Sequence, residues 1–328
     1  MKRANVDQMD AMWIDARTES DLYIPPLQKI NLISYCGSHG FSLDLTLSCG
    51  QVFSWTKVGR IWIGVIDGFE VFLSERDNQL FYAGISHDRL IAYLGLDHPI
   101  DEILLDIVHS IQEYTCCNIQ YIDEKFSCPN PDSLLHYDLS KAAGIRVLRQ
   151  EPWECIASYI LSTNSNIRII RKRIQLLSEK YGTSVGNNGL YVFPRFDVLA
   201  IADISDIMAC KTGYRAPYLL KTAQIVTEDP SLLTKIETFS YPDAKRELMT
   251  LSGIGAKVAD CMLLFSYQRY EAVPIDVWIR NIITKRYFSQ ISDGDQKKMS
   301  YEDIAVFCRK YFGKYAGYAQ QFIYAARE

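Results

Sequence analysis

Two stretches with helical spacing, residues 240–250 and 256–267, are joined by little more than Ser252-Gly253-Ile254-Gly255. So short a link forces a helical hairpin, and the glycines permit its tight backbone with N–H groups facing outward. Those donors sit at a helix N-terminus, which favours an anion such as phosphate. A Gly-x-Gly run before a helix can also open a dinucleotide fold. That reading needs a preceding strand and a third glycine, and neither is here.

Lys257 follows in the first turn of the second helix, where the positive end of the helix dipole disfavours a further cation. An amine so placed is a candidate nucleophile; alone, it is also consistent with a solvated lysine. Nineteen residues on, Asp276 lies between Pro274 and the next helical stretch, a natural N-cap position. It can serve as the cap alone, or its carboxylate can also face a positive charge developing on a sugar. Cys261, one turn after Lys257, shares its face and by itself reads as a small buried residue.

The rest of the chain divides by periodicity. Residues 1–30 are polar and mixed, an N-terminal extension. Residues 31–84 read as strands in an antiparallel sheet with successive neighbours paired. Ile61–Ile66 and Phe69–Leu73 flank Asp67-Gly68, a strong hairpin signal, and another turn is expected near Asp77-Asn78. Helical spacing at 87–95 and 101–114 predicts helices that cover the sheet. Cys128-Pro129-Asn130-Pro131-Asp132 marks a boundary, so the first domain is expected over 31–130 and a mostly helical one over 131–328. The predicted class is α+β, with the sheet domain first.

Charge follows this division. Residues 1–130 hold 9 Lys+Arg against 18 Asp+Glu, net −9, and residues 131–328 hold 26 against 21, net +5. A nucleic-acid surface therefore belongs to the second part, despite the overall −4. The nine cysteines contain no Cys-x-x-Cys pair, which argues against a zinc or iron–sulfur site. Their odd number, with no apolar leader in Met1–Asp10, predicts reduced thiols in a cytoplasmic or nuclear protein that is not secreted. No apolar run approaches the roughly 20 residues needed to span a bilayer.

Taken with these features, several segments resemble the 8-oxoguanine DNA glycosylase family of the helix-hairpin-helix superfamily. They are Leu43-Asp44-Leu45 through Cys49-Gly50-Gln51-Val52-Phe53-Ser54-Trp55, Gly144–Pro152, Ser162-Thr163-Asn164-Ser165-Asn166-Ile167, Gly213-Tyr214-Arg215-Ala216 and Tyr315–Gln320. Together with the hairpin they span about residues 31–328. The resemblance implies a monomeric enzyme acting on double-stranded DNA that carries oxidised guanine, with no metal or cofactor. It implies that Lys257 expels the damaged base through a Schiff base, followed by β-elimination, and that Asp276 stabilises the sugar cation. Such an enzyme must take the base out of the stack. Asn164 and Tyr214 match residues that fill the vacated space, and Arg215 one that reads the orphaned cytosine. Gly253 and Gly255 match the phosphate grip. Gly50 matches the residue whose carbonyl senses the proton on N7 of the oxidised base. Gln320 matches the residue bonded to its pairing edge, and Cys261 and Tyr324 the residues that sandwich it.

Three departures stand out. Ile169 occupies the place of a second cytosine-reading arginine, and Arg168 is rotated from it by about 100°; relaxed preference for the opposite base follows. Tyr324 replaces the usual phenylalanine, and Trp278 a phosphate-contacting histidine. An alkylated-base glycosylase would lack Lys257, and an endonuclease III-like enzyme would carry clustered C-terminal cysteines. A non-catalytic DNA-binding module would need Gly253 and Gly255 but not Lys257, Asp276 and Gln320 together.

Overall fold

The computed structural model describes residues 18–36, 39–118, 142, 144–288 and 293–326. The boundary expected at Cys128–Asp132 lies outside them. Five strands, β1 (Gln28–Asn31), β2 (Thr56–Val58), β3 (Ile61–Ile66), β4 (Phe69–Arg76) and β5 (Gln79–Ala83), form one antiparallel sheet in the order β1-β5-β4-β3-β2. Both expected turns close hairpins. Asp67 and Gly68 have φ of 52° and 83°, and Asp77 and Asn78 of 52° and 58°, the left-handed pairs that match strand twist. Across β3–β4, Gly64 pairs with Val71; a Cβ on Gly64 would lie 2.6 Å from the Trp55 ring, which occupies that space instead.

Three expectations for this part fail, on strand extent, strand pairing and helix cover. The described residues of segment 32–55 are not strand. They hold α1 (Ile33–Cys36) and α2 (Leu43–Ser48), the latter capped by Ser42, whose hydroxyl accepts from Leu45 N at 3.2 Å. The insertion carries the chain across the sheet, so β1 pairs with β5 rather than with its sequence neighbour. Of the two helices expected to cover the sheet, α3 (His87–Leu94) does so, through Leu90, Ile91 and Leu94 in one cluster with Trp55, Trp62, Leu73 and Leu80 and with Leu43 and Leu47 of α2. The next helix, α4 (Ile100–Asn118), turns Ile103, Ile107 and Ile111 into the helical core instead. Periodicity defines an apolar face without saying what it meets.

The opposite face of the sheet, Val58, Ile63, Phe72 and Ala83, is covered by Leu22 and Ile24 of the N-terminal extension and by Leu190. Tyr23 and Asn188 exchange hydrogen bonds of 2.8 and 3.0 Å. The described end of that extension is thus part of the fold rather than an unspecified tail.

The remaining helices, except the short one over 293–298, contribute to one core. In chain order they are α5 (Pro152–Ser162), α6 (Ile167–Tyr181), α7 (Phe196–Ala200), α8 (Ile204–Ile207), α9 (Ala216–Glu228), α10 (Leu232–Thr238), α11 (Tyr241–Leu248), α12 (Ala256–Phe265), α13 (Val277–Tyr287), α14 (Asp293–Lys298), α15 (Tyr301–Phe312) and α16 (Ala316–Ala325). The helical stretches expected at 240–250 and 256–267 are present as α11 and α12. The short α7, α8 and α10 and a small hairpin of β6 (Ser184–Val185) and β7 (Leu190–Tyr191) are too brief to show a period. Among the described residues no helix is long and apolar enough to cross a membrane, and no group of three or more His, Cys, Asp or Glu is arranged to hold a metal ion.

Candidate active site

The hairpin between α11 and α12 is built on Gly253, whose φ of +80° favours glycine. A Cβ there would also lie 2.7 Å from the Tyr218 Cβ on α9. The Thr222 hydroxyl donates to Ser252 O at 3.0 Å and seats the turn on that helix. Gly255 is the N-cap of α12 in extended conformation, and nothing lies within 4 Å of its Cβ position. The start of α12 is therefore open to a ligand, with the first-turn N–H groups lacking intrahelical partners.

Lys257 projects from this first turn, half-buried, with Nζ 5.0 Å from the Tyr159 ring centroid. Cys261 lies one turn further, 2% exposed, and takes a hydrogen bond from the Lys257 side chain. Burial pushes the Cys261 thiol up to about 11, against the lowering pull of Lys257. It is a neutral thiol at physiological pH, without the thiolate that nucleophilic sulfur requires. Asp276 caps α13, Oδ1 accepting from Ile279 N at 2.7 Å, and its charge is felt at Cys261. The cap expected from sequence is thus present, and its carboxylate lies near enough to Cys261 to push that thiol upward.

Tyr159 is the residue that sequence reading missed. It stacks on Phe265, meets Phe53 edge-on, and donates its hydroxyl to Gln51 O at 3.1 Å, with Gly50 O at 3.4 Å. It therefore ties the lysine's surroundings to the loop from the sheet region. Its signal was slight: one phenol in the apolar run Cys155–Leu161, a group that needs a partner when buried. Gln51 fixes the same loop, donating to Thr46 O and Arg146 O and accepting from Leu148 N.

Gly50 has φ +87°, and its absent Cβ would sit 3.4 Å from Ile167 Cδ1 and 3.6 Å from the Tyr324 hydroxyl. Trp278 packs edge-on to Tyr324 at 5.8 Å. Gln320, one turn before Tyr324 on α16 and 4% exposed, accepts from Gln321 Nε2 at 2.7 Å. Lys257, Asp276, Cys261, Tyr159, Gly50 and Tyr324 thus come together from α5, α12, α13, α16 and the loop after α2, with Gln320 one turn from Tyr324 on α16.

The second group lies at the start of α6 and α9. Asn164 adopts φ +47°, and its Nδ2 donates to the Tyr214 hydroxyl at 3.3 Å. Tyr214 is 51% exposed and meets Tyr218 edge-on at 6.4 Å. Arg215 is 4% exposed. Its guanidinium lies 4.3 Å from the Tyr214 ring and donates to Thr163 O and Asn164 O. Arg215 therefore supports the Asn164 turn in this structure and does not project outward. Ile169, by contrast, is 43% exposed on α6.

With this geometry in hand, comparison with known proteins is specific. Residues 35–156 match the family model described as 8-oxoguanine DNA glycosylase, N-terminal domain. A probable N-glycosylase/DNA lyase of Methanothermobacter thermautotrophicus is 31% identical over 234 residues, covering 63% of this chain and 72% of that protein. An N-glycosylase/DNA lyase of Arabidopsis thaliana is 29% identical, covering 87% of this chain and 77% of that protein. The apo 8-oxoguanine glycosylase/lyase of Clostridium acetobutylicum superposes with a TM-score of 0.73 at 28% identity, covering 87% of this chain and 92% of that one. The same protein bound to duplex DNA with cytosine opposite the lesion gives the same TM-score.

Proposed function

The chain belongs to the 8-oxoguanine DNA glycosylase family, and from that premise we propose that it is a bifunctional glycosylase and lyase that removes 8-oxoguanine from duplex DNA. The observation that carries the reading is the convergence of Lys257 and Asp276 on Cys261, with Tyr159 joining the lysine to the Gly50 loop and Gly50 meeting Tyr324. Amine, carboxylate and base-sized apolar walls are what glycosidic-bond cleavage with covalent capture requires.

In the proposed sequence the Lys257 amine attacks C1′ of the flipped nucleoside through its nitrogen lone pair. The C1′–N9 bond breaks, and the base leaves with that electron pair and takes up a proton. Asp276 faces the positive charge that develops on the sugar, in a water-poor site where fixed charge counts most. The C1′–O4′ bond then opens, O4′ takes up a proton from the nitrogen, and the protonated imine forms. A proton then leaves C2′; its electron pair passes into the imine and returns to form a C2′=C3′ double bond as the C3′–O bond breaks and the 3′ phosphate departs. Water releases Lys257. No cofactor enters, since the imine is the electron sink. Gly50 O is proposed to accept from the N7 proton that distinguishes the lesion from guanine, and Gln320 to bond its pairing edge. Gly253 and Gly255 are proposed to hold the backbone phosphate.

Relaxed choice of the opposite base belongs to the same proposal. Ile169 offers an exposed aliphatic group and Arg215 is committed to Thr163 and Asn164. Measuring excision opposite C, A, G and T checks it, and a strong cytosine preference would overturn it. An enzyme of this kind acts where DNA is, in the cytoplasm or nucleus.

Borohydride trapping on a duplex with one 8-oxoguanine, wild type beside Lys257→Gln, tests the whole reading. An adduct in wild type alone is expected. Base loss in both proteins without an adduct would make water the nucleophile. No base loss in either would remove 8-oxoguanine as the substrate.

A further inference from the structure

One buried cluster stands behind the active-site wall and takes no part in the mechanism above. Asp260, fully buried on α12 between Lys257 and the helix end, accepts from three donors. These are the Tyr241 hydroxyl at 2.7 Å on Oδ1, and Lys245 Nζ at 3.0 Å and the Tyr301 hydroxyl at 2.6 Å on Oδ2. Lys245 also reaches Glu302, which pairs in turn with Arg309.

The two phenols differ in one respect. Besides donating to Asp260, the Tyr241 hydroxyl accepts from Lys245 of its own helix at 3.3 Å and from Arg309 at 3.0 Å. The Tyr301 oxygen also touches the segment that leads into α13: it accepts from Ile275 N at 3.3 Å and lies 3.0 Å from Val273 O. Ile275 immediately precedes Asp276. Tyr301 itself is held by a capping box at the start of α15, in which Ser300 Oγ accepts from Asp303 N and Ser300 N donates to Asp303 Oδ2. The Arg280 guanidinium, one turn into α13, donates to Met299 O at 2.7 Å and closes the loop between the two helix starts.

We propose that Tyr301, acting through Asp260, is a positioning residue that fixes the Asp276 cap against the helix that carries Lys257. This rests on the glycosylase reading above. The cleft residues themselves make no direct bond between α12 and the Asp276 segment that could do this; Asp276 is committed to its own helix through Ile279 N. The Tyr301 hydroxyl spans the two through one oxygen. Reacting groups tolerate little displacement: a 1 Å misplacement can cost about 100-fold in rate.

The experiment compares Tyr301→Phe with Tyr241→Phe. Each deletes one donor to the same carboxylate, so both lower thermal stability, but only the first frees Ile275. Hydrogen exchange of the peptide 273–280 is expected to speed up in Tyr301→Phe and not in Tyr241→Phe. Single-turnover excision at saturating enzyme, counted per DNA-binding molecule, is expected to fall about 10- to 100-fold in Tyr301→Phe alone. DNA affinity should stay at the wild-type value. Adding Tyr301→Phe to Asp276→Asn should slow the enzyme no further, since both act through one carboxylate. Unchanged exchange over 273–280, equal rate losses in the two tyrosine variants, or losses that multiply in the double variant would each overturn the inference. If wild type neither excises nor traps, the glycosylase reading fails, while the exchange comparison still decides whether Tyr301 holds the cap.

Discussion

The two sides of the cleft are built to different standards of rigidity. On the lysine side the groups are buried and committed. Cys261 and Gln320 are 2% and 4% exposed, Asp276 is locked into a cap, and Tyr159 bonds the loop that carries Gly50. On the other side Tyr214 and Ile169 are 51% and 43% exposed, and although Arg215 braces the backbone of the left-handed Asn164 turn, the Asn164 and Tyr214 side chains meet through one long hydrogen bond of 3.3 Å. The difference follows from the two tasks proposed for them. Bond cleavage needs fixed charges aimed at one atom. Filling a gap in a duplex needs side chains that can adapt to whichever base remains.

That contrast predicts a steep gradient of effects. Lys257→Gln breaks the rigid side at its centre and should abolish trapping, with excision lowered on the order of 10⁴-fold or more. Single-turnover assays with a melting curve check that the fold survives, as expected for a half-buried polar side chain on a helix. Asp276→Asn is the finer cut. Asparagine is as good an N-cap as aspartate, so stability should hold within about 0.5 kcal/mol. The charge is lost, and excision should fall about 100- to 1,000-fold. A large drop in melting temperature would mean that Asp276 matters mainly to the helix.

Gly50→Ala comes next. At φ +87° a side chain is strained by about 1–2 kcal/mol, and here the new methyl would crowd Ile167 and the Tyr324 hydroxyl inside the base cavity. Denaturant titration should show that loss. Excision should fall further than stability does, because the methyl fills space the base needs. Wild-type excision at reduced stability would remove Gly50 from the cavity wall.

Sequence made one side of this comparison far more legible than the other. The hairpin, Lys257 and the Asp276 cap are local: each is a short run whose turn, dipole or capping preference can be read without knowing its neighbours. Gly50 and Tyr324 could be matched to a family pattern, yet their contact is between residues 274 positions apart and no local rule announces it. Tyr159, Asp260 and Tyr301 were invisible because each lies in a helix whose spacing is fully explained by core packing. The same limit explains α4, whose apolar stripe was evident and whose partner was not. Arg215 is a further case. The family resemblance matched it to a reader of the orphaned cytosine, and in this structure its guanidinium donates to the carbonyls of Thr163 and Asn164, a pairing no local pattern announced.

The adaptable side can be sharpened by a single change. Ile169 lies on the exposed face of α6, near a turn already stiffened by Arg215, and it has no group able to hydrogen-bond a base. Ile169→Arg would add a planar donor fork there at no burial penalty, since the site is open. Exposed helix positions tolerate such changes within about 0.5 kcal/mol, and arginine is the better helix former. A hydrogen-bonded base contact discriminates by about 1–3 kcal/mol when well aligned. The preference for excision opposite cytosine over adenine should therefore rise about 10-fold, the lower end of that range, because an arginine on an open surface must give up rotamer freedom to bind. Excision opposite cytosine itself should hardly change, since the rigid side of the cleft, which sets the rate, is untouched. An Ile169→Arg enzyme with unchanged ratios across the four opposite bases would show that discrimination does not run through α6, and that Asn164 and Tyr214 alone set the tolerance of this side.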